Sequence, residues 1–86
     1  MAMANLGVLY VNGEGVARNP EKAVELFRQA AEQGDAAGMY LYGQCFFSGV
    51  GVPKDMRTAN EWFRKAARAG NPSAIDYCRR NNLDYR

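Results

Sequence analysis

Ser48-Gly49-Val50-Gly51-Val52-Pro53-Lys54-Asp55 has a counterpart 36 residues earlier, Asn12-Gly13-Glu14-Gly15-Val16-Ala17-Arg18-Asn19. Two glycines one residue apart let a chain reverse through positive φ, and the polar residue at the end of each stretch is a helix N-cap. The valine between the glycines, Val50, is expected to plug the gap between two helices. Working outward at the same offset, Gly7 and Gly34 recur as Gly43 and Gly70, Met3 as Met39, Ala23 as Ala59 and Glu25 as Glu61. Phe27, Arg28, Ala30 and Ala31 return as Phe63, Arg64, Ala66 and Ala67. In all, 12 of 36 aligned positions are identical without a gap, where composition alone gives roughly two or three. The chain therefore reads as a tandem repeat within one domain, 1–86. Repeat one is 1–36, repeat two is 37–72, and a C-terminal half-repeat or capping helix is 73–86.

Each unit decodes as helix, loop, helix, turn. Asp35 caps a first helix running roughly from Ala36 to Phe47, with Met39, Tyr42 and Phe46 at helical spacing. Gly43 lies in its middle, where glycine costs about 1 kcal/mol relative to alanine. Its recurrence predicts a helix–helix close approach. Asn19-Pro20-Glu21 starts a second helix with cap, proline and acid, and Asp55 is the equivalent cap. These second helices run to about Gln33 and Ala69, and Gly34 and Gly70 end them. Their apolar stripes are Ala23, Leu26, Phe27 and Ala30, then Ala59, Trp62, Phe63 and Ala66, at i, i+3, i+4 and i+7. Asn71-Pro72 opens a further helix to about Leu83. The predicted fold is all-α: an α/α superhelical solenoid of about two and a half stacked antiparallel helix pairs.

Composition bounds the chemistry. The 86 residues are 48% hydrophobic and 23% charged, with a net charge of +2, a mix typical of a folded globular chain. No run of about 18 apolar residues exists, so no membrane insertion is expected. Histidine is absent, which removes His bases, His-activated nucleophiles and His-ligated metals. Cys45 and Cys78 are too few for a thiolate zinc cage and too far apart for a redox pair. Gly13-Glu14-Gly15 is no phosphate loop, because no Lys-Ser/Thr follows and repeat two replaces the acid with Val50. Ser48 and Ser73 have no base to activate them. The sequence predicts no enzyme, no cofactor and no metal.

The motifs resemble the Sel1-like repeat (SLR) family, helical-pair relatives of the tetratricopeptide repeat. Repeat one carries Leu6-Gly7, Tyr10, Gly13-Glu14-Gly15-Val16, Lys22-Ala23, Leu26-Phe27, Ala30-Ala31 and Gly34-Asp35. Repeat two carries Tyr42-Gly43, Phe46, Gly49-Val50-Gly51-Val52, Ala59, Trp62-Phe63, Ala66-Ala67 and Gly70-Asn71. The period of 36 and the G-x-G-V loop separate it from the 34-residue tetratricopeptide pattern. Departures are Tyr42 in place of leucine, Thr58 in the slot of Lys22, and Arg79 in place of the helix glycine. The polar third unit looks like a terminal cap.

The resemblance implies a non-catalytic adaptor or scaffold that binds a protein or peptide on a concave face lined by the first helix of each unit. On that face it places Val8, Val11 and Asn12 of repeat one, Tyr40, Gln44 and Phe47 of repeat two, and Asp76 and Arg80 of the half-unit. Tyr40, Phe47 and Arg80 are the preferred anchors, since Tyr, Phe and Arg are enriched at interface centres. Two other readings stay open: a stoichiometric inhibitor of a partner enzyme, and a hydrolase on cell-wall or β-lactam substrates. Some secreted family members carry a disulfide in each repeat, but Leu9 occupies the slot of Cys45 in repeat one, so free thiols are expected here.

Residues 1–36 carry three basic and five acidic side chains, and residues 37–72 five basic and two acidic. Arg57, Arg64, Lys65 and Arg68 fall on one helix and are expected on a solvated outer face, not a nucleic-acid stripe. Met1, Met3 and Leu6 start a helix without a cap, which predicts a homo-oligomer through that side. No signal peptide is evident, which favours a cytoplasmic chain, with a fragment of an exported protein as the alternative.

Overall fold

The computed structural model describes residues 19–85. Four helices follow in chain order: α1 (Pro20–Glu32), α2 (Ala36–Ser48), α3 (Met56–Arg68) and α4 (Pro72–Arg80). The spacing of 36 holds for starts as well as residues, separating α1 from α3 and α2 from α4. Each helix packs on the next in sequence, so α2 is sandwiched between α1 and α3. The α2 sequence AAGMYLYGQCFFS has no charged side chain, whereas the other three helices, α1, α3 and α4, each carry several.

Short turns are set by side chains that act twice. Gly34 and Asp35 end α1 by donating their N–H groups to Ala31 and Ala30 carbonyls at 3.0 and 3.1 Å. The Asp35 carboxylate then accepts from Ala37 N–H and starts α2. Gly70 and Asn71 do the same, donating to Ala67 and Ala66, with Asn71 capping α4 through Ala74 N–H at 2.9 Å. A glycine–Asx pair thus satisfies the carbonyls of one helix and the amides of the next within two residues.

The longer loop between α2 and α3 contains the two glycines from which the repeat was read. Both adopt φ +72°. Gly51 is held there by packing as well as by backbone, since a Cβ would lie 2.6 Å from the Pro20 carbonyl oxygen. The loop of repeat two therefore rests on the first turn of α1. Val52, not Val50, packs against the cluster of Ala23, Phe27 and Cys45. Val50 was expected to fill that gap because it lies between the glycines. Reversal at both glycines brings the residue after them to the core instead.

Close approach also governs α2. A Cβ on Gly38 would meet the Ala30 Cβ at 2.6 Å, and one on Gly43 would meet the Phe63 ring at 2.9 Å. One glycine admits α1 and the other admits α3. The second cluster, Ala66, Ala67, Ala74 and Cys78, joins α3 to α4 and is flanked by Met39, Tyr40, Ile75, Leu83 and Tyr85. The expected stripes are buried, with Trp62 only half covered.

The last helix stops earlier than its pattern suggested. It ends at Arg80 and not at Leu83, because Asn82 turns left-handed at φ +55°. Leu83 N–H donates to the Cys78 carbonyl at 2.8 Å and Asn82 N–H to that of Arg79, which closes the helix end. Leu83 and Tyr85 then fold back onto the α3–α4 cluster. Arg64 and Arg68 donate their Nε–H groups to the carbonyls of Asp84 and Tyr85 at 2.6 and 3.2 Å. The α3 arginines, expected on a merely solvated face, hold a chain segment.

Candidate functional site

Tyr40, Gln44 and Phe47 stand at i, i+4 and i+7 and so share one face of α2. Gln44 donates from Nε2 to the Tyr40 hydroxyl at 3.0 Å. The face is backed by Phe63 of α3, which is 2% exposed. Its ring lies 5.5 Å from Tyr40 and 6.2 Å from Phe47. Tyr77 of α4 completes the group, 4.3 Å from Phe63 and 6.2 Å edge-on from Phe47. Its hydroxyl donates to Asn60 Oδ1 at 2.7 Å, and burial pushes the phenol up from its ordinary range.

Four aromatic rings from three helices therefore pack together, Phe47 and Tyr77 edge to face and the other pairs tilted, contacts worth about 0.5–1.5 kcal/mol per pair beyond burial. Phe47 ends the group and is 41% exposed, a large apolar side chain held in solvent by rigid neighbours. Tyr77 was not anticipated, because its slot in repeat two is Leu41 and no aromatic period pointed to it. Asp76 and Arg80 form their own ion pair at 2.9 Å across one turn of α4, with both side chains more than half exposed. Val8, Val11 and Asn12, and the start at Met1, Met3 and Leu6, lie outside the described residues.

A second aromatic group, Tyr42, Phe46 and Trp62, lies where α2 meets α3, with ring centroids 5.0 Å apart from Tyr42 to each partner. Lys65 lies over the Trp62 ring at 4.4 Å, a cation–π contact that shields part of its exposed face.

Chemistry is scarce. Cys45 and Cys78 are free and buried, and they belong to different clusters. Burial pushes the Cys45 thiol up to about 11 and raises Cys78 as well, so neither is a thiolate near neutrality. Among the described residues, no three His, Cys, Asp or Glu side chains gather as a metal site. No helix among them is long and apolar enough to cross a membrane.

A stack of antiparallel helix pairs with an exposed, rigidly backed aromatic edge is the build of a helical repeat module. The Sel1 repeat pattern matches residues 1–35 and again 36–71, and the chain belongs to the Sel1-like repeat family. Repeats of this family typically mediate protein interactions and are usually non-catalytic. Among solved structures, a Sel1 repeat protein from Oxalobacter formigenes is 34% identical with a TM-score of 0.85, over 90% of this chain and 58% of that one. Helicobacter pylori cysteine rich protein B is 31% identical with a TM-score of 0.82, over 87% of this chain and 56% of that one. A protective antigen of uropathogenic Escherichia coli displaying an SLR fold is 39% identical with a TM-score of 0.82, over 94% of this chain and 18% of that one. The chain thus spans little more than half of the first two. Comparison with curated proteins returns no match.

Proposed function

We propose that this chain is a non-catalytic adaptor that binds a protein or peptide through the α2 face of Tyr40, Gln44 and Phe47, with Arg80 of α4 as a flanking contact. The observation that carries the reading is Phe47, exposed at 41% yet braced by Phe63 and Tyr77. A braced aromatic loses little side-chain entropy on binding, which is what an interface anchor needs. At the 36-residue offset Val8, Val11 and Asn12 correspond to Gln44, Phe47 and Ser48, which supports their inclusion as contacts of repeat one. A stoichiometric inhibitor would use the same surface, with an enzyme as its partner. Catalysis has little support: both thiols are buried and protonated, and Ser48 and Ser73 lie in a chain without histidine.

A photo-cross-linking side chain at position 47 tests the surface inside cells. One discrete adduct from position 47, with none from position 65 on α3, is the expected result. Phe47→Ala should weaken capture of that partner by about 1–2 kcal/mol. Equal adducts from both positions would defeat the proposal.

A further inference from the structure

We propose that the flank of α3 and α4 beneath residues 81–85 is a peptide-binding groove, and that Leu83-Asp84-Tyr85 is its resident, displaceable ligand. The partner it fits is an extended segment of another protein carrying an apolar side chain, a spacer and an aromatic side chain. The resident segment already binds as a peptide would. Leu83 and Tyr85, two apart, pack on the cluster of Ala66, Ala67, Ala74 and Cys78. The carbonyls of Asp84 and Tyr85 accept from Arg64 and Arg68. Carbonyl contacts give affinity independent of sequence, and alternate side chains give selectivity.

Repeat one shows that these positions are not always built this way. Arg28, the counterpart of Arg64, is held on its own helix by Glu25 and Glu32. In repeat two the counterpart of Glu32 is Arg68, so one bracketing carboxylate becomes a second donor. The counterpart of Tyr42 in the half-unit is the much smaller, fully buried Cys78. The change at position 68 thus lines this flank of α3 with two guanidinium groups. The segment is held by the two arginines, by Leu83 and Tyr85 against the cluster, and by the Leu83 N–H on the Cys78 carbonyl at 2.8 Å. Its two-residue tether, Asn81-Asn82, maintains an effective concentration in the millimolar range, enough to exclude weak competitors.

A fluorescent peptide copying residues 81–86 is the probe. The chain carrying L83A/Y85A should bind it at least tenfold more tightly than the unaltered chain, and adding R64A/R68A should remove at least tenfold of that gain. Phe47→Ala should leave peptide binding unchanged, which separates this groove from the aromatic face. A helical L83A/Y85A chain that binds no more tightly than the parent overturns the proposal. Should that variant lose its helical circular dichroism, hydrogen exchange of the unaltered chain decides. The Leu83 amide exchanging at least tenfold faster than those of α3 supports a displaceable segment, and exchange in step with α3 overturns it.

Discussion

α1 and α3 occupy equivalent places in successive repeats and share an alanine–phenylalanine stripe, yet their outer faces behave differently. On α1 the Arg28 guanidinium is bracketed by Glu25 and Glu32, and its hydrogen bonds hold the Glu25 carboxyl below its usual range. On α3 the equivalent arginine reaches off the helix to the carbonyl of Asp84. The apolar stripes coincide because both helices pack on an α2- or α4-type neighbour through the same small residues. Packing is repeated, while surface charge is free to change. One replacement, acid to base between positions 32 and 68, turns a self-contained helix face into one that holds another segment.

The inner sides of the two helices differ more subtly, and the largest expected effect tests that difference. Phe27 and Phe63 are each 2% exposed. Phe63 alone is ringed by Tyr40, Phe47 and Tyr77. Phe63→Ala should cost about 4 kcal/mol and Phe27→Ala about 3 kcal/mol in urea unfolding, the gap reflecting lost aromatic pairs. Equal costs would show that the aromatic group adds nothing beyond burial.

Gly51→Ala should destabilise by about 2–3 kcal/mol, because alanine resists the left-handed backbone and its methyl meets the Pro20 carbonyl. A loss well under 1 kcal/mol would mean that the loop does not lock repeat two onto α1.

Cys45 sharpens the comparison of the two clusters through pH. Its thiol is pushed from an ordinary 9.0 up to about 11 by burial. Above pH 9 the unfolded chain releases this proton while the folded chain keeps it, so stability falls as pH rises from 9 to 11. The slope contributed is at most about 1.4 kcal/mol per pH unit. Cys45→Ala should flatten that decline in denaturant titrations at pH 8, 9 and 10. An unchanged slope would place the alkaline loss elsewhere, with Tyr42, Tyr77 and Cys78, whose shifts run in the same direction.

The smallest effect is on the surface. Arg68→Glu restores the bracket of repeat one and should draw Arg64 back onto α3. Global stability should hardly move, but the Leu83 amide should exchange severalfold faster. Arg28→Ala should leave Leu83 exchange untouched. A response to both would show that the two faces are coupled.

Helix starts, caps and buried stripes were legible in the sequence because each follows from local rules repeated twice. Gly38 was not, since its partner in repeat one is Ala2 and the 36-residue comparison passes over it. Its role becomes visible only when Ala30 lies against it. Tyr77 was missed for a related reason. A single ring in a half-unit has no period, and only packing brings it to Phe63. The end of α4 was misjudged because Leu83 continues a helical spacing, although Asn81-Asn82 before it favours a left-handed turn. Of the proposed contact residues, Tyr40, Gln44 and Phe47 fall together on one face, while Asp76 and Arg80 form their own pair.

By itself the sequence determined the repeat, its four described helices and the family to which the chain belongs, because period, capping and apolar spacing act over a few residues and survive without coordinates. Tertiary structure alone decided which valine enters the core, which arginines grip residues 84 and 85, and how Phe47 is braced. Those outcomes depend on distances between segments far apart in the chain, and such distances are products of packing, not of local preference.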